Sequence, residues 1–183
     1  MKLIGVCLGA VLLAVLLLGC PYQSDVPLGA PQTRVVDTWL TGYWVADSTN
    51  EEGEQGLLEI LPFNGTEYVF ACTGRNSEPE YYRAFQVSTG KERFWNFAEL
   101  DETGLPTAYY IGYSTLGSDG RLSIRLVDED GVPKELGSDM QALANYLDAH
   151  VNDSALYDEE SGALMRRPMN DEMENGRLRI WGD

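Results

Sequence analysis

Three times between Leu57 and Val127 the chain alternates apolar and polar residues, meets a turn sequence, and comes back as a second alternating run. Leu57 to Phe63 and Thr66 to Cys72 flank Asn64-Gly65. This dipeptide readily adopts the positive φ values that a two-residue hairpin needs. Tyr81 to Ser88 and Arg93 to Leu100 flank Thr89-Gly90, and Tyr109 to Leu116 and Arg121 to Val127 flank Ser118-Asp119-Gly120. A period of two is the mark of a strand with one buried face, because successive side chains point to opposite sides of a sheet. The last run shows it cleanly: Leu122, Ile124 and Leu126 face inward, Arg121, Ser123 and Arg125 outward. Gly42-Tyr43-Trp44-Val45 reads as an earlier strand, with Leu164 to Arg167 and Leu178 to Trp181 as closing strands. Short antiparallel strands joined by tight turns must hide their edges, so the chain is expected to be mainly β, an antiparallel meander curled into a barrel or a sandwich.

One segment breaks the pattern. Met140, Leu143, Leu147 and Val151 recur at helical spacing, and Ser138 with Gln141 three residues on has the form of a capping box. A single helix in the C-terminal half, packed by its apolar stripe on the sheet, is expected. Arg34 to Leu40 reads as a short helix or turn, and the acidic stretches Asp47 to Gly56 and Asn170 to Asn175 read as loops.

The N-terminus follows another logic. Residues 3–18 are apolar, Lys2 is the sole charge before Cys20, and the run stops at Leu17-Leu18-Gly19-Cys20 followed by Pro21. One basic residue before a short apolar stretch is the layout of a secretory signal. The last four residues resemble the lipobox of bacterial lipoproteins: an aliphatic residue, a tolerant position, a small residue and the modified cysteine. That resemblance implies cleavage of residues 1–19 and lipidation of the Cys20 thiol, which would anchor the chain to a membrane in the cell envelope. An ordinary cleaved signal and a retained anchor are the alternatives. Since two or more acyl chains hold a protein firmly on a bilayer, the anchor would be a stable one. The resemblance also implies an outer-membrane address in a Gram-negative cell, because Pro21 and not an aspartate follows the cysteine. Residues 20–33 carry three prolines and no helical period, and read as a flexible tether. Its last thirteen residues reach at most roughly 40 Å. Residues 34–183 then form a single domain.

Composition restricts the partners. Twenty-nine acidic against 13 basic residues give a formal net charge of −16, and loss of the signal would make it one unit more negative. A charge this negative argues against nucleic acid or anionic lipid as a partner, because both would be repelled. Of three cysteines, Cys7 lies in the signal and Cys20 at the lipidation position, which leaves Cys72 without an intramolecular disulfide partner. It ends an alternating run and reads as a buried, inert thiol.

At Asp37-Thr38-Trp39-Leu40-Thr41-Gly42-Tyr43-Trp44 the chain resembles small lipocalin-like bacterial lipoproteins of uncharacterised function. In that pattern a helical turn precedes a first strand opening with Gly-x-Trp. Gly42 and Trp44 match those two positions, and the resemblance implies that Trp44 plugs one end of a lipocalin-like barrel. It leaves open whether the barrel holds a small apolar ligand or is filled by side chains.

Catalytic constellations are not legible. The single histidine, His150, falls at the end of the helix, and no Gly-x-Ser-x-Gly elbow occurs. No zinc set can be built from one histidine and one thiol. Asp128-Glu129-Asp130-Gly131 lacks the alternate spacing of a calcium loop. No cofactor and no metal are expected. Two function classes follow: a membrane-tethered module binding a small apolar ligand or an envelope protein, and an envelope hydrolase acting through paired carboxylates.

Overall fold

The computed structural model describes residues 21–31, 36–49, 55–74, 78–100, 102–137, 139–158, 163–168, 173–174 and 177–178. The strands are β1 (Gln23–Ser24), β2 (Gly42–Thr49), β3 (Gln55–Pro62), β4 (Tyr68–Thr73), β5 (Glu80–Ser88), β6 (Arg93–Leu100), β7 (Pro106–Leu116), β8 (Leu122–Leu126) and β9 (Ala163–Arg166), with one helix, α1 (Met140–His150), between β8 and β9. β2 to β8 pair in sequence order, all antiparallel. β9 then pairs with both β8 and β2 and closes an eight-stranded barrel. Closure removes the two edges that an open meander would expose. Leu164 to Arg167 is thus close to the closing strand that the sequence indicates. Arg177–Leu178 is not: it pairs only with Met173–Glu174 in a separate two-stranded ladder. The acidic stretch read as a loop, Asn170 to Asn175, therefore contains one strand of this pair, and Trp181 lies outside the described residues.

Strand parity sorts the core into two compartments. Trp44, Leu58, Ile60, Phe70, Ala84, Trp95, Phe97, Leu122, Leu126 and Met165 form the barrel interior. Phe85, Val87, Phe94 and Ile111 point the other way and pack with Leu143, Leu147 and Val151 of α1. Strands β5 to β7 are therefore apolar on both faces, and the helix covers the outer one. The stripe read from Met140, Leu143, Leu147 and Val151 is the face that does so.

Local chemistry fixes the turns. Asp139, one residue beyond the expected Ser138, caps α1: its carboxylate accepts from the Gln141 and Ala142 amides. Asn64-Gly65 does turn the first hairpin, but not as a two-residue loop. Gly65 is not left-handed. Asn64 Oδ1 instead accepts from the Thr66 and Glu67 amides, so the turn spans five residues between β3 and β4. An asparagine side chain that mimics a backbone acceptor replaces the glycine conformation as the reason for turning. In the next hairpin Gly90 has φ +100°. Asp148 of α1 reaches down to it, accepting from the Lys91 amide at 3.0 Å and the Glu92 amide at 3.1 Å. This clasp joins helix to barrel. Hydrogen bonds to a charged acceptor contribute roughly 1.5–3 kcal/mol, so Asp148→Ala is expected to lower unfolding free energy by about 1.5 kcal/mol in urea melts.

Residues 21–31 do not form the free tether that their prolines imply. Pro21 bridges to Asp128, the Tyr22 amide donates to Val127 O at 2.7 Å, and β1 pairs with Tyr109 and Tyr110 of β7. Leu28 is buried in the outer core, and its amide donates to Asn96 Oδ1 at 2.7 Å. The physical reason is β7. It has eleven residues and β8 five. The part of β7 that β8 leaves uncovered would be an open edge, and the N-terminal segment pairs with it. Proline then acts as a bend between docked points, not as a sign of disorder.

Candidate functional site

Each strand has one end near Trp44 and one end away from it. The two ends of the barrel differ in chemistry. At the first end, β2 opens on Gly42 with φ +106°. Trp44 is 1 % exposed, and its indole N–H donates to Leu40 O at 2.8 Å. Arg167, just past β9, lays its guanidinium 4.0 Å from the centre of the Trp44 ring. It donates to Thr41 O at 2.8 Å, to Tyr43 O at 3.3 Å and to Trp39 O. A Cβ on residue 42 would stand 2.9 Å from Arg167 Nη1. A side chain at residue 42 would therefore displace the arginine as well as strain a backbone angle that glycine alone adopts readily. Above this plug the rings of Tyr68, Phe70, Trp95 and Phe97 contact one another, with centroid spacings from 5.1 to 6.4 Å. Side chains fill this half of the barrel.

The opposite end carries polar groups on the same inner face. Cys72 pairs with Glu80, Tyr82 with Glu99, and Phe97 with Tyr110. The Tyr110 hydroxyl donates to Glu99 Oε2 at 3.1 Å and the Tyr82 hydroxyl to Glu80 Oε2 at 3.4 Å. Burial raises the Glu80 carboxyl above its ordinary value, the hydrogen bond from Tyr82 opposes this, and the negative charge of Glu99 adds to it. Burial also raises Tyr82 strongly, with Glu80 the next cause, and raises Tyr110, with Glu99 the next cause. The Cys72 thiol is pushed up to about 12, first by burial and then by Glu80. This matches the reading of an unreactive thiol. This end of the barrel carries the Tyr82 and Tyr110 hydroxyl donors, their Glu80 and Glu99 acceptors and a protonated Cys72 thiol above the aromatic rings.

A raised carboxyl favours the protonated form in the folded state, so its contribution to stability is full below the ordinary carboxylate range and is lost as pH rises through the folded value. Glu80→Gln is therefore expected to raise the urea midpoint at pH 7 and to leave it nearly unchanged at pH 4. An equal shift at both pH values would contradict burial as the cause.

Of the residues singled out by sequence, Gly42 and Trp44 meet at the closed end, and Cys20 lies outside the described residues. His150 sits in the last turn of α1, with Nδ1 2.8 Å from Tyr146 O. Asp128 closes its own turn by accepting from the Asp130 amide at 2.7 Å. Among the described residues no group of three or more histidines, cysteines and carboxylates is placed to hold a metal ion. No described helix is long and apolar enough to cross a membrane. Sequence reasoning missed Arg167, Glu80, Tyr82, Glu99 and Tyr110. The parity of β5 and β6 was the available signal for Glu80 and Glu99, since each stands two residues along its strand from an inward aromatic ring.

No protein-family model, no curated protein and no solved structure matches the chain.

Proposed function

We propose that the chain is an envelope lipoprotein, anchored through Cys20, whose barrel binds a small ligand with an apolar body at its open end. The observation that carries this reading is the division of one interior. The half around Trp44 is packed solid with rings, while the other half turns hydroxyls and carboxylates inward to the same axis. Burial of Glu80 and Tyr82 is unfavourable for folding, because desolvating polar groups costs free energy unless partners repay it. Groups held in that state at the mouth of a barrel are suited to meet a ligand, with the aromatic floor for its apolar part. The Leu-Leu-Gly-Cys ending of the apolar run supports the anchor, and Pro21 favours the outer membrane in a Gram-negative cell. The negative charge of the chain fits a partner other than nucleic acid.

The hydrolase reading gains one specific pair, Glu80 and Glu99, in which the charge of one raises the other. A pair of this kind suits acid–base work. It would require substrate turnover that Glu80→Gln abolishes, and the binding reading requires none.

The anchor is tested by metabolic labelling with radioactive palmitate. Cys20→Ser is expected to abolish incorporation and to release the protein from the membrane fraction. Label retained in the variant would place the lipid elsewhere.

A further inference from the structure

The anchor position and the barrel mouth lie on one side of the molecule. Cys20 is joined by one peptide bond to Pro21, which bridges to Asp128 just past the end of β8. That end of β8 is the end remote from Trp44. Two residues further on, Gln23 pairs with Tyr110, whose hydroxyl is bonded to Glu99 in the mouth. The segment has no slack between these points. The Tyr22 amide is tied to Val127 O, and Ser24 is buried beside Tyr109. Beyond Ser24 the strap is fixed again by Leu28 in the outer core. Asn96 beneath it is fully buried, with Oδ1 on the Leu28 amide and Nδ2 without a partner. A strap tied at both ends cannot swing the domain away from its anchor as a free linker would.

We infer that the end of the barrel that carries Glu80, Tyr82 and Glu99 is held against the lipid bilayer, so that its ligand enters from the membrane and not from bulk solvent. The inference rests on lipidation of Cys20. The partner is a lipid surface, because lipid attached at the Cys20 sulfur enters a bilayer next to Pro21, which is docked just past the end of β8 remote from Trp44. The rim carries apolar side chains suited to that contact: Leu105, in the loop between β6 and β7, is 63 % exposed, and Val26 in the strap is half exposed. Trp39 and Phe63 at the closed end are exposed too. The anchor decides between the two ends, because Pro21, its neighbour in the chain, is docked at the end of β8 remote from Trp44.

The test uses the lipidated full protein in phosphatidylcholine vesicles that contain a headgroup nitroxide lipid. A fluorophore is attached at the rim in Leu105→Cys, or at the closed end in Gly65→Cys, where an added side chain meets nothing within 4 Å. The lipid blocks the Cys20 sulfur, and both labelling variants also carry Cys72→Ser, so that no second thiol takes the label. Quenching is expected to be several-fold stronger at residue 105 than at residue 65. A long Gly-Ser insertion between Cys20 and Pro21 is expected to bring the two positions level. Protein that floats with the vesicles but is quenched equally at both positions, or more at residue 65, would overturn the orientation alone. Protein that fails to float would overturn the anchor and the orientation with it.

Discussion

Trp44→Ala is expected to lower the stability of the domain by about 3–5 kcal/mol, because truncating a large buried ring loses both its transfer free energy and the contacts of the cavity left behind. Small domains hold only about 5–15 kcal/mol in total, so the variant should be close to unfolding at growth temperature. Trp39, five residues earlier, is 76 % exposed. Its replacement by alanine is expected to change stability by no more than about 0.5 kcal/mol. Urea melts of both variants decide the point. Equal, small midpoint shifts would mean that Trp44 does not plug the barrel.

Arg167→Ala is expected to cost about 2–3 kcal/mol, since one guanidinium serves the carbonyls of Trp39, Thr41 and Tyr43 and covers the Trp44 ring. Lysine should not rescue it. An ammonium has no planar fork to reach several carbonyls while lying flat on an indole. The two closed-end variants should also fail to add, because each removes one partner of the same stacked pair. A double-mutant cycle is expected to give a coupling of about 0.5–2 kcal/mol. Additive effects would mean that the arginine acts only on the backbone.

The fold was legible where local chemistry and burial agree. The six alternating runs from Leu57 to Val127 appear as β3 to β8 because period two and turn residues both specify strands there. The helical stripe was legible for the same reason. What the sequence hid depends on long-range geometry. The strap was read as a tether because three prolines mean disorder unless an edge needs covering, and the excess length of β7 over β8 appears only once the strands are paired. Leu178 read as a closing strand by its apolar pattern, but β9 had already filled the gap between β8 and β2. Asp139 displaced Ser138 as the cap by one residue, within the slip that end signals allow. At the site, Gly42 and Trp44 drew notice in the sequence and are found as a left-handed glycine and a buried ring, yet Arg167 is more than a hundred residues away and carries no motif. Glu80 and Glu99 were lost among 29 acidic residues. Only the register across β4 to β7 separates them from the solvated majority.

Native mass spectrometry of the domain from Pro21 onward, purified gently without its lipid anchor, tests the binding function most directly. A second species heavier by a small-molecule mass is expected, which collisional activation strips to the bare polypeptide. This species is expected to weaken in Tyr82→Ala and to be retained in Trp39→Ala. The bare polypeptide alone, in every preparation and after incubation with membrane lipid extract, would contradict a ligand-binding barrel.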